Sequence, residues 1–233
     1  MNTGILYIVA TPIGNLGDIT FRAVEIFKEV DLIICEDTRV TRKLLEHYGI
    51  KTETKSFYKS RGTKTRKPEP NFEYIIRKIK DGKNVALATD AGTPGISDPG
   101  NQLVEAAIRN NIKVVPIPGP SALAALASAA GIDMNRFVFL GYPPHKKGRE
   151  TYFKKLVSYD FPIVYYESPY RLIKNLELLS AIASEAKQSR QIILGRELTK
   201  MFEEIVRGNI AEILEYFNKN RDKIRGEIAI IVY

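Results

Sequence analysis

The chain has 233 residues, 44% of them hydrophobic and 27% charged, with a single cysteine and no tryptophan. This is the profile of a globule large enough for one α/β domain or two small ones. Cys35 alone excludes a disulfide framework and fits a reducing cytosol, and no stretch approaches the roughly 18 apolar residues of a membrane span.

The opening "MNTGILYIVATPIG" lacks the basic region of a secretory signal, so Ile5–Ala10 reads as a first strand and the chain as cytoplasmic. A helix is expected near Phe21–Glu29. "DLIICED" reads as a buried strand, with Thr38 capping a helix that runs through His47. Next come Lys51, Lys55, Lys59, Arg61, Lys64, Arg66 and Lys67, opposed only by Glu53. Such a run suits either a phosphate backbone or a solvated loop. The formal net charge of +8 leaves both readings open.

Asn71 is placed to cap a helix whose apolar residues Phe72, Ile75, Ile76 and Ile79 follow the helical period, and Gly82 ends it. Val85–Thr89 is the next strand. The loop "DAGTPGISDPG", Asp90 to Gly100, then holds three glycines and two prolines. Glycine lets a backbone approach another molecule closely, and proline stiffens the loop, so the stretch reads as a cradle at a strand end. A helix through Leu103 and Ile108 and a strand Lys113–Pro116 complete a run of βα units, which implies a parallel sheet covered by helices. "PIPGPSALAALASAAG" breaks the rhythm, with Ser121 as a helix cap, and sets a boundary between domains 1–117 and 118–233.

In the second half, strands are expected at Phe137–Leu140, Pro162–Tyr166, Gln191–Leu194 and Glu227–Tyr233. Helices are expected around Gly148–Val157, from Ser168-Pro169 onward, and at Ile210–Phe217. "ASEAKQSR", Ala183 to Arg190, reads as a polar surface loop. Lys146, Lys147 and Arg149 form a second basic cluster after "GYPPH".

His47 and His145 are the only histidines, so neither zinc spacing nor a Ser-His-Asp triad is available, and no metal is expected. The P-loop and G-x-G-x-x-G phosphate motifs are absent as well. What remains is a set of loops at strand ends: "TPIGNLGD", "CEDTR", "DAGTPGISDPG" and "PGPSA". In an open parallel sheet such loops converge on the ligand crevice. They make a neutral, backbone-lined pocket beside a few carboxylates, suited to a zwitterion with a ribose and a base.

"TPIGNLGDIT", "CEDTRVTRKLL", "DAGTPGISDPG", "PIPGPSAL", "GYPP", "YYESPYRL" and "RELTKMFEE" occur in this order across nearly the whole chain. Together they resemble the ribosomal small-subunit RNA cytidine 2′-O-methyltransferases of the tetrapyrrole-methylase superfamily. The resemblance implies two α/β domains, the first with a mainly parallel sheet and the second with a mixed one, and a cofactor cleft between them. It implies S-adenosylmethionine as methyl donor, a homodimer, and the 2′-hydroxyl of a cytidine in 16S rRNA of the small ribosomal subunit as acceptor.

Residue by residue, the resemblance assigns Ala91, Gly92, Thr93 and Ile96, then Ser121 and Ala122, to the cofactor, with Pro12, Ile13 and Gly14 as the floor. Asp37 is the first choice for a base that takes the ribose proton, with Glu36 and Arg39 beside it. The alternative for Asp37 is a helix-terminal charge. Glu167 and Glu197 are lesser candidates. The RNA contacts expected are Lys59, Arg61, Lys64, Arg66 and Lys67 in one cluster and Lys146, Lys147 and Arg149 in the other. The chain departs from the rRNA-methylating pattern at "FYKSRGTKTRKPEP", where those relatives carry a His- and Glu-containing stretch. Lys59 stands near a lysine of some porphyrin methylases, so methylation of a tetrapyrrole stays open, as does a non-catalytic RNA-binding module.

Overall fold

The computed structural model describes residues 3–57, 72–187 and 189–233. They form two units, Met1–Ser121 and Ala122–Tyr233, each with its own five-stranded sheet.

The first unit alternates strand and helix: β1 (Ile5–Val9), α1 (Phe21–Glu29), β2 (Leu32–Cys35), α2 (Thr38–His47), β3 (Thr54–Ser56), α3 (Phe72–Lys80), β4 (Val85–Ala88), α4 (Asn101–Arg109) and β5 (Lys113–Ile117). The sheet order is β3-β2-β4-β1-β5, and every pairing is parallel. Leu32–Cys35 and Val85–Ala88 are buried throughout, because helices cover both faces of the sheet. On one face Ile75, Ile76 and Ile79 of α3 and Leu103 and Ala107 of α4 pack on Leu6, Ile34 and Leu87. On the other, Ala23 and Phe27 of α1 and Leu44 and Leu45 of α2 pack on Val9, Ile33 and Ala86. Burying each large side chain of this set contributes about 1.5–3 kcal/mol.

Two local expectations change in this unit. The cap of α2 is Asp37 rather than Thr38: its carboxylate accepts from the Arg39 N–H, and Thr38 is the first helical residue. Strand β3 departs from the expected pattern, because it lies at the sheet edge and carries the polar sequence Thr-Lys-Ser. Asn71 lies outside the described residues.

The second unit holds α5 (Ala122–Ser128), β6 (Val138–Phe139), α6 (Arg149–Val157), β7 (Ile163–Glu167), α7 (Leu172–Glu185), β8 (Gln191–Arg196), β9 (Glu204–Asn209), α8 (Ile210–Lys219) and β10 (Ile228–Val232). The order β6-β7-β10-β8-β9 is mixed: β6 and β7 are parallel, while β10 runs antiparallel to both β7 and β8. Helices α6, α7 and α8 cover one face through Phe153, Leu156, Leu172, Leu176, Leu179, Ile213 and Phe217. On the other side, α5 brings Leu126 so close to Gly195 that a Cβ there would meet its Cδ1 at 2.8 Å.

Three expectations are corrected here. The Ser168-Pro169 pair does not start α7; it forms a turn closed by Arg171 N–H on the Ser168 carbonyl, and the helix begins at Leu172. Ala183–Glu185 belongs to α7, held by the buried Ile182 and Ala183. Strand β9 is additional to the expected set, since Glu204–Asn209 is polar and gains its partners only through the antiparallel pairing with β8.

Candidate functional site

The loops after β1, β4 and β5 are laced together at the C-terminal edge of the first sheet. Thr11 is buried; its hydroxyl donates to the Thr89 carbonyl at 3.1 Å, and its main chain exchanges two hydrogen bonds with Gly92 at 2.9 and 3.0 Å. Gly92 has φ 82°, and a Cβ there would sit 3.4 Å from Ile13 Cγ2. The Thr93 hydroxyl donates to the Pro120 carbonyl at 3.1 Å. Farther along, Asn101 Nδ2 donates to the Gly95 carbonyl at 3.2 Å, so the loop is folded on itself before α4 begins. Pro12 and Ile13 are buried beneath it, Gly14 is exposed, and Ala91, Thr93 and Ile96 are half-buried. Ser121 closes the first unit and Ala122 opens α5.

Part of the glycine content therefore has an internal cause. A Cβ at Gly95 would lie 2.5 Å from Asn101 Oδ1, and one at Gly100 3.1 Å from Leu87 Cδ2. One polar group is left over: the Thr89 hydroxyl is buried and has no hydrogen-bond partner among the described residues. A buried hydroxyl without a partner is costly, and it marks the head of the loop as able to take an outside polar group. The backbone-lined floor, this hydroxyl and the neighbouring carboxylates fit a polar nucleoside carrying a positive centre.

The acidic edge is formed by Glu36, Asp37 and Asp90. Asp37 is fully engaged: besides the Arg39 N–H at 2.8 Å, its carboxylate accepts from Arg39 Nε at 3.0 and 3.2 Å and from Nη2 at 2.5 Å. The Arg39 guanidinium holds its pKa down to about 2. Asp37 donates its own N–H to Asp90 Oδ1 at 3.1 Å. Glu36 accepts from the Asp90 N–H; burial first, and then the Asp90 charge, push its pKa up. Partial withdrawal from water likewise raises Asp90, and the Asp37 charge adds to the shift. The edge thus pairs one firmly ionised carboxylate with two that hold protons more readily than usual.

The expected residues Pro12, Ile13, Ala91, Gly92 and Thr93 share this loop cluster, and Glu36, Asp37 and Arg39 lie along its acidic edge. Asp90 is not among the residues singled out from the sequence. The signal available is its position just past the apolar strand β4, matching that of Asp37 past β2. Lys146 and Lys147 are exposed between β6 and α6, and Arg149 is the first residue of α6. Lys59, Arg61, Lys64, Arg66 and Lys67 lie outside the described residues. Glu167 is buried in the second unit, where Asn175 Nδ2 donates to it at 2.6 Å. Glu197 accepts from Lys200 Nζ at 3.0 Å. Among the described residues no group of three or more His, Cys, Asp or Glu can hold a metal ion, and no helix is long and apolar enough to cross a membrane.

The family model of the tetrapyrrole (corrin/porphyrin) methylases matches residues 5–214. The chain is 44% identical over 206 residues to a protein of Leptospira biflexa named ribosomal RNA small subunit methyltransferase I, covering 87% of this chain and 81% of that one. Proteins of the same name from Hydrogenobaculum and Synechocystis are each 43% identical, covering 97% and 98% of this chain and 94% and 78% of theirs. Among solved structures, the X-ray structure of a cobalt precorrin-4 methyltransferase, a cobalamin biosynthetic enzyme, superposes with a TM-score of 0.69. It covers 97% of this chain and 93% of its own at 16% identity, a likeness of fold. The chain belongs to the tetrapyrrole methylase family, whose model spans most of its length.

Proposed function

We propose that the protein is an S-adenosylmethionine-dependent methyltransferase that modifies the 2′-hydroxyl of a cytidine in 16S rRNA of the small ribosomal subunit, acting as a homodimer. The observation that carries this reading is the 43% identity over 97% of the chain and 94% of a relative named for that class of substrate. The strand-end loops and their acidic edge are compatible with it.

S-adenosylmethionine supplies an electrophilic methyl group on a positively charged sulfur. In the proposed site Pro12, Ile13 and Gly14 form the floor, and Ala91, Gly92, Thr93 and Ile96 the cradle. Ser121 and Ala122 complete the contacts, and the Thr89 hydroxyl is available to a polar group of the ligand. The carboxylates favour a cation near the loop through simple attraction. Positioning supplies much of the acceleration, and a loop pinned by the Thr11–Gly92 and Thr93–Pro120 bonds loses little order on binding.

A ribose hydroxyl must lose its proton as the new bond forms. Asp37, Glu36 and Arg39 are the proposed catalytic group, and Asp90 joins them. Within the group Asp37 already caps α2 and holds Arg39, and at about 2 its pKa makes it a weak acceptor. Asp90 has one oxygen set by the Asp37 N–H, and burial raises its affinity for a proton. We therefore assign proton removal to Asp90, with Asp37 and Arg39 holding the strand end in place.

The test is calorimetric titration with S-adenosylmethionine, followed by transfer of a labelled methyl group to undermethylated small subunits and, in parallel, to a free tetrapyrrole. Label on the tetrapyrrole and none on the subunit would move the protein to the small-molecule branch. Binding of RNA without any transfer would leave a non-catalytic module.

A further inference from the structure

The motif "YYESPYRL" has no part in the chemistry above, yet its end is tightly bonded. Glu167, at the end of β7, is buried; it accepts from the Ser168 N–H at 2.7 Å and from Asn175 Nδ2 at 2.6 Å. Arg171 Nε stands 3.5 Å from the same carboxylate, and Arg171 Nη1 donates to the Pro143 carbonyl at 2.9 Å. The loop after β6 is pinned a second time by Tyr166 N–H on the Gly141 carbonyl at 3.0 Å. Arg171 thus clamps two segments into one platform: the turn Ser168–Arg171 and the loop Gly141–Gly148.

That platform presents a distinctive set of side chains. Tyr170, inside the clamped turn, is 96% exposed, the most exposed large apolar residue among the described ones. Tyr142 is 49% exposed, its ring tilted against Tyr166 at 5.5 Å. Lys146 and Lys147 are exposed on the same loop, and Arg149 follows at the start of α6. A single exposed aromatic needs no explanation. Here, though, a fully exposed ring stands on a turn whose backbone is clamped to a loop that carries two lysines, with Arg149 next to it at the start of α6, and an ordered backbone lowers the cost of stacking something on that ring.

We infer that this platform binds single-stranded RNA, with Tyr170 stacking on an unpaired base while Lys146, Lys147 and Arg149 hold the adjoining phosphates. Every base offers a π-face and every nucleotide a negative charge, which is the combination that aromatic-plus-basic surfaces recognise. The inference rests on the rRNA reading above and adds to it a contact made through stacking. Charge alone would not identify Tyr170.

Because the chain has no tryptophan, Tyr170→Trp introduces a sole indole reporter at the stacking position. Titration of this variant with a short single-stranded oligoribonucleotide, and then with small ribosomal subunits, is expected to quench its emission. Tyr170→Ala is expected to weaken binding and raise the KM for subunits by roughly 5- to 150-fold, the range of one lost base stack. Tyr170→Phe should stay within about twofold of wild type, since stacking needs no hydroxyl.

The loss in Tyr170→Ala should be equal at low and high salt, whereas neutralising Lys146 and Lys147 should flatten the salt dependence. Cofactor affinity and melting temperature should not move in Tyr170→Ala. Wild-type RNA affinity and KM in that variant would overturn the inference. So would a change from dimer to monomer with RNA affinity intact, which would assign Tyr170 to contact with a second copy. If instead the wild-type protein transfers no methyl group to subunits, the rRNA reading fails, and the oligoribonucleotide titration still decides the stacking on its own.

Discussion

The main-chain N–H of Asp37 donates to Oδ1 of Asp90 at 3.1 Å, joining residues 53 positions apart in sequence. The register explains the meeting. Cys35 pairs with Ala88 in the parallel sheet, so each aspartate stands two residues past the last paired position of its strand. Parallel strands deliver the ends of β2 and β4 to the same edge, and the two side chains then divide the work. Asp37 is consumed by Arg39, while Asp90 keeps an oxygen available.

This division predicts distinct kinetics for three near-isosteric variants. Asp90→Asn should slow single-turnover transfer to undermethylated subunits by roughly a hundredfold or more, with cofactor and RNA affinities near wild type. Asp37→Asn should keep most of the rate, because asparagine is an equally good cap and only the Arg39 pair is lost. Glu36→Gln should also keep most of the rate, because the charges acting on Asp90 are those of Asp37 and Arg39. The wild-type rate should rise with pH through a pKa above the ordinary carboxylate value, the direction to which burial and the Asp37 charge push Asp90. A rate independent of pH above about 4, together with a collapse in Asp37→Asn alone, would return the role to Asp37.

Gly92 should matter for binding more than for folding. At φ 82° a Cβ is strained, so Gly92→Ala should cost roughly 1–2 kcal/mol of stability. Gly131, at φ 74° with open space where its Cβ would stand, should cost the same when changed to Ala. Only the Gly92 change should lower S-adenosylmethionine affinity, by roughly tenfold or more, the effect of about 1.4 kcal/mol. Equal calorimetric affinities in the two variants would remove Gly92 from the cofactor site.

Most of the first unit is legible in the sequence because its central strands β2 and β4 are buried throughout and so read as unbroken apolar runs. Helix α1 occupies the expected Phe21–Glu29, and Thr20 caps it by accepting from the Ala23 N–H. The polar strands β3 and β9 are not, since an edge strand is stabilised by its partner and needs no apolar sequence of its own. For a related reason "ASEAKQSR" misleads: its first residues look polar, but Ala183 is buried by packing that begins turns earlier in α7. The candidate site is readable as a set of loops. The pairing of Asp37 with Arg39 is local, two residues apart at the start of α2, whereas the nearness of Asp90 to Glu36 and Asp37 depends on strand order, which no local pattern encodes.

The basic run of the first half makes an electrostatic prediction that follows from charge alone. If Lys59, Arg61, Lys64, Arg66 and Lys67 hold rRNA phosphates, neutralising them should weaken subunit binding and flatten its salt dependence. The log–log slope should fall by roughly 0.7 to 0.9 for each phosphate no longer neutralised, with cofactor affinity unchanged. An unaltered slope would make the run a solvated surface.

Glu204 ties β9 to its surroundings. Arg196 Nε reaches it at 2.7 Å and Lys223 Nζ at 2.8 Å, and the Tyr216 hydroxyl also donates to it. Partial burial opposes ionisation, but these donors outweigh it and bring the pKa from 4.5 down to about 2. A folded pKa below the unfolded one means that the unfolded chain takes up protons first as the solution is acidified. The stabilisation is therefore present above the unfolded value, and it is lost as pH falls through the folded one. Glu204→Gln should cost about 2 kcal/mol at neutral pH, the scale of hydrogen bonds to a charged group. The gap between variant and wild type should close progressively as pH falls from about 4.5 toward 2. Denaturant unfolding followed by circular dichroism across that range measures it. A gap of constant size would mean that the glutamate acts through shape and neutral hydrogen bonding, and that its charge contributes nothing to the fold.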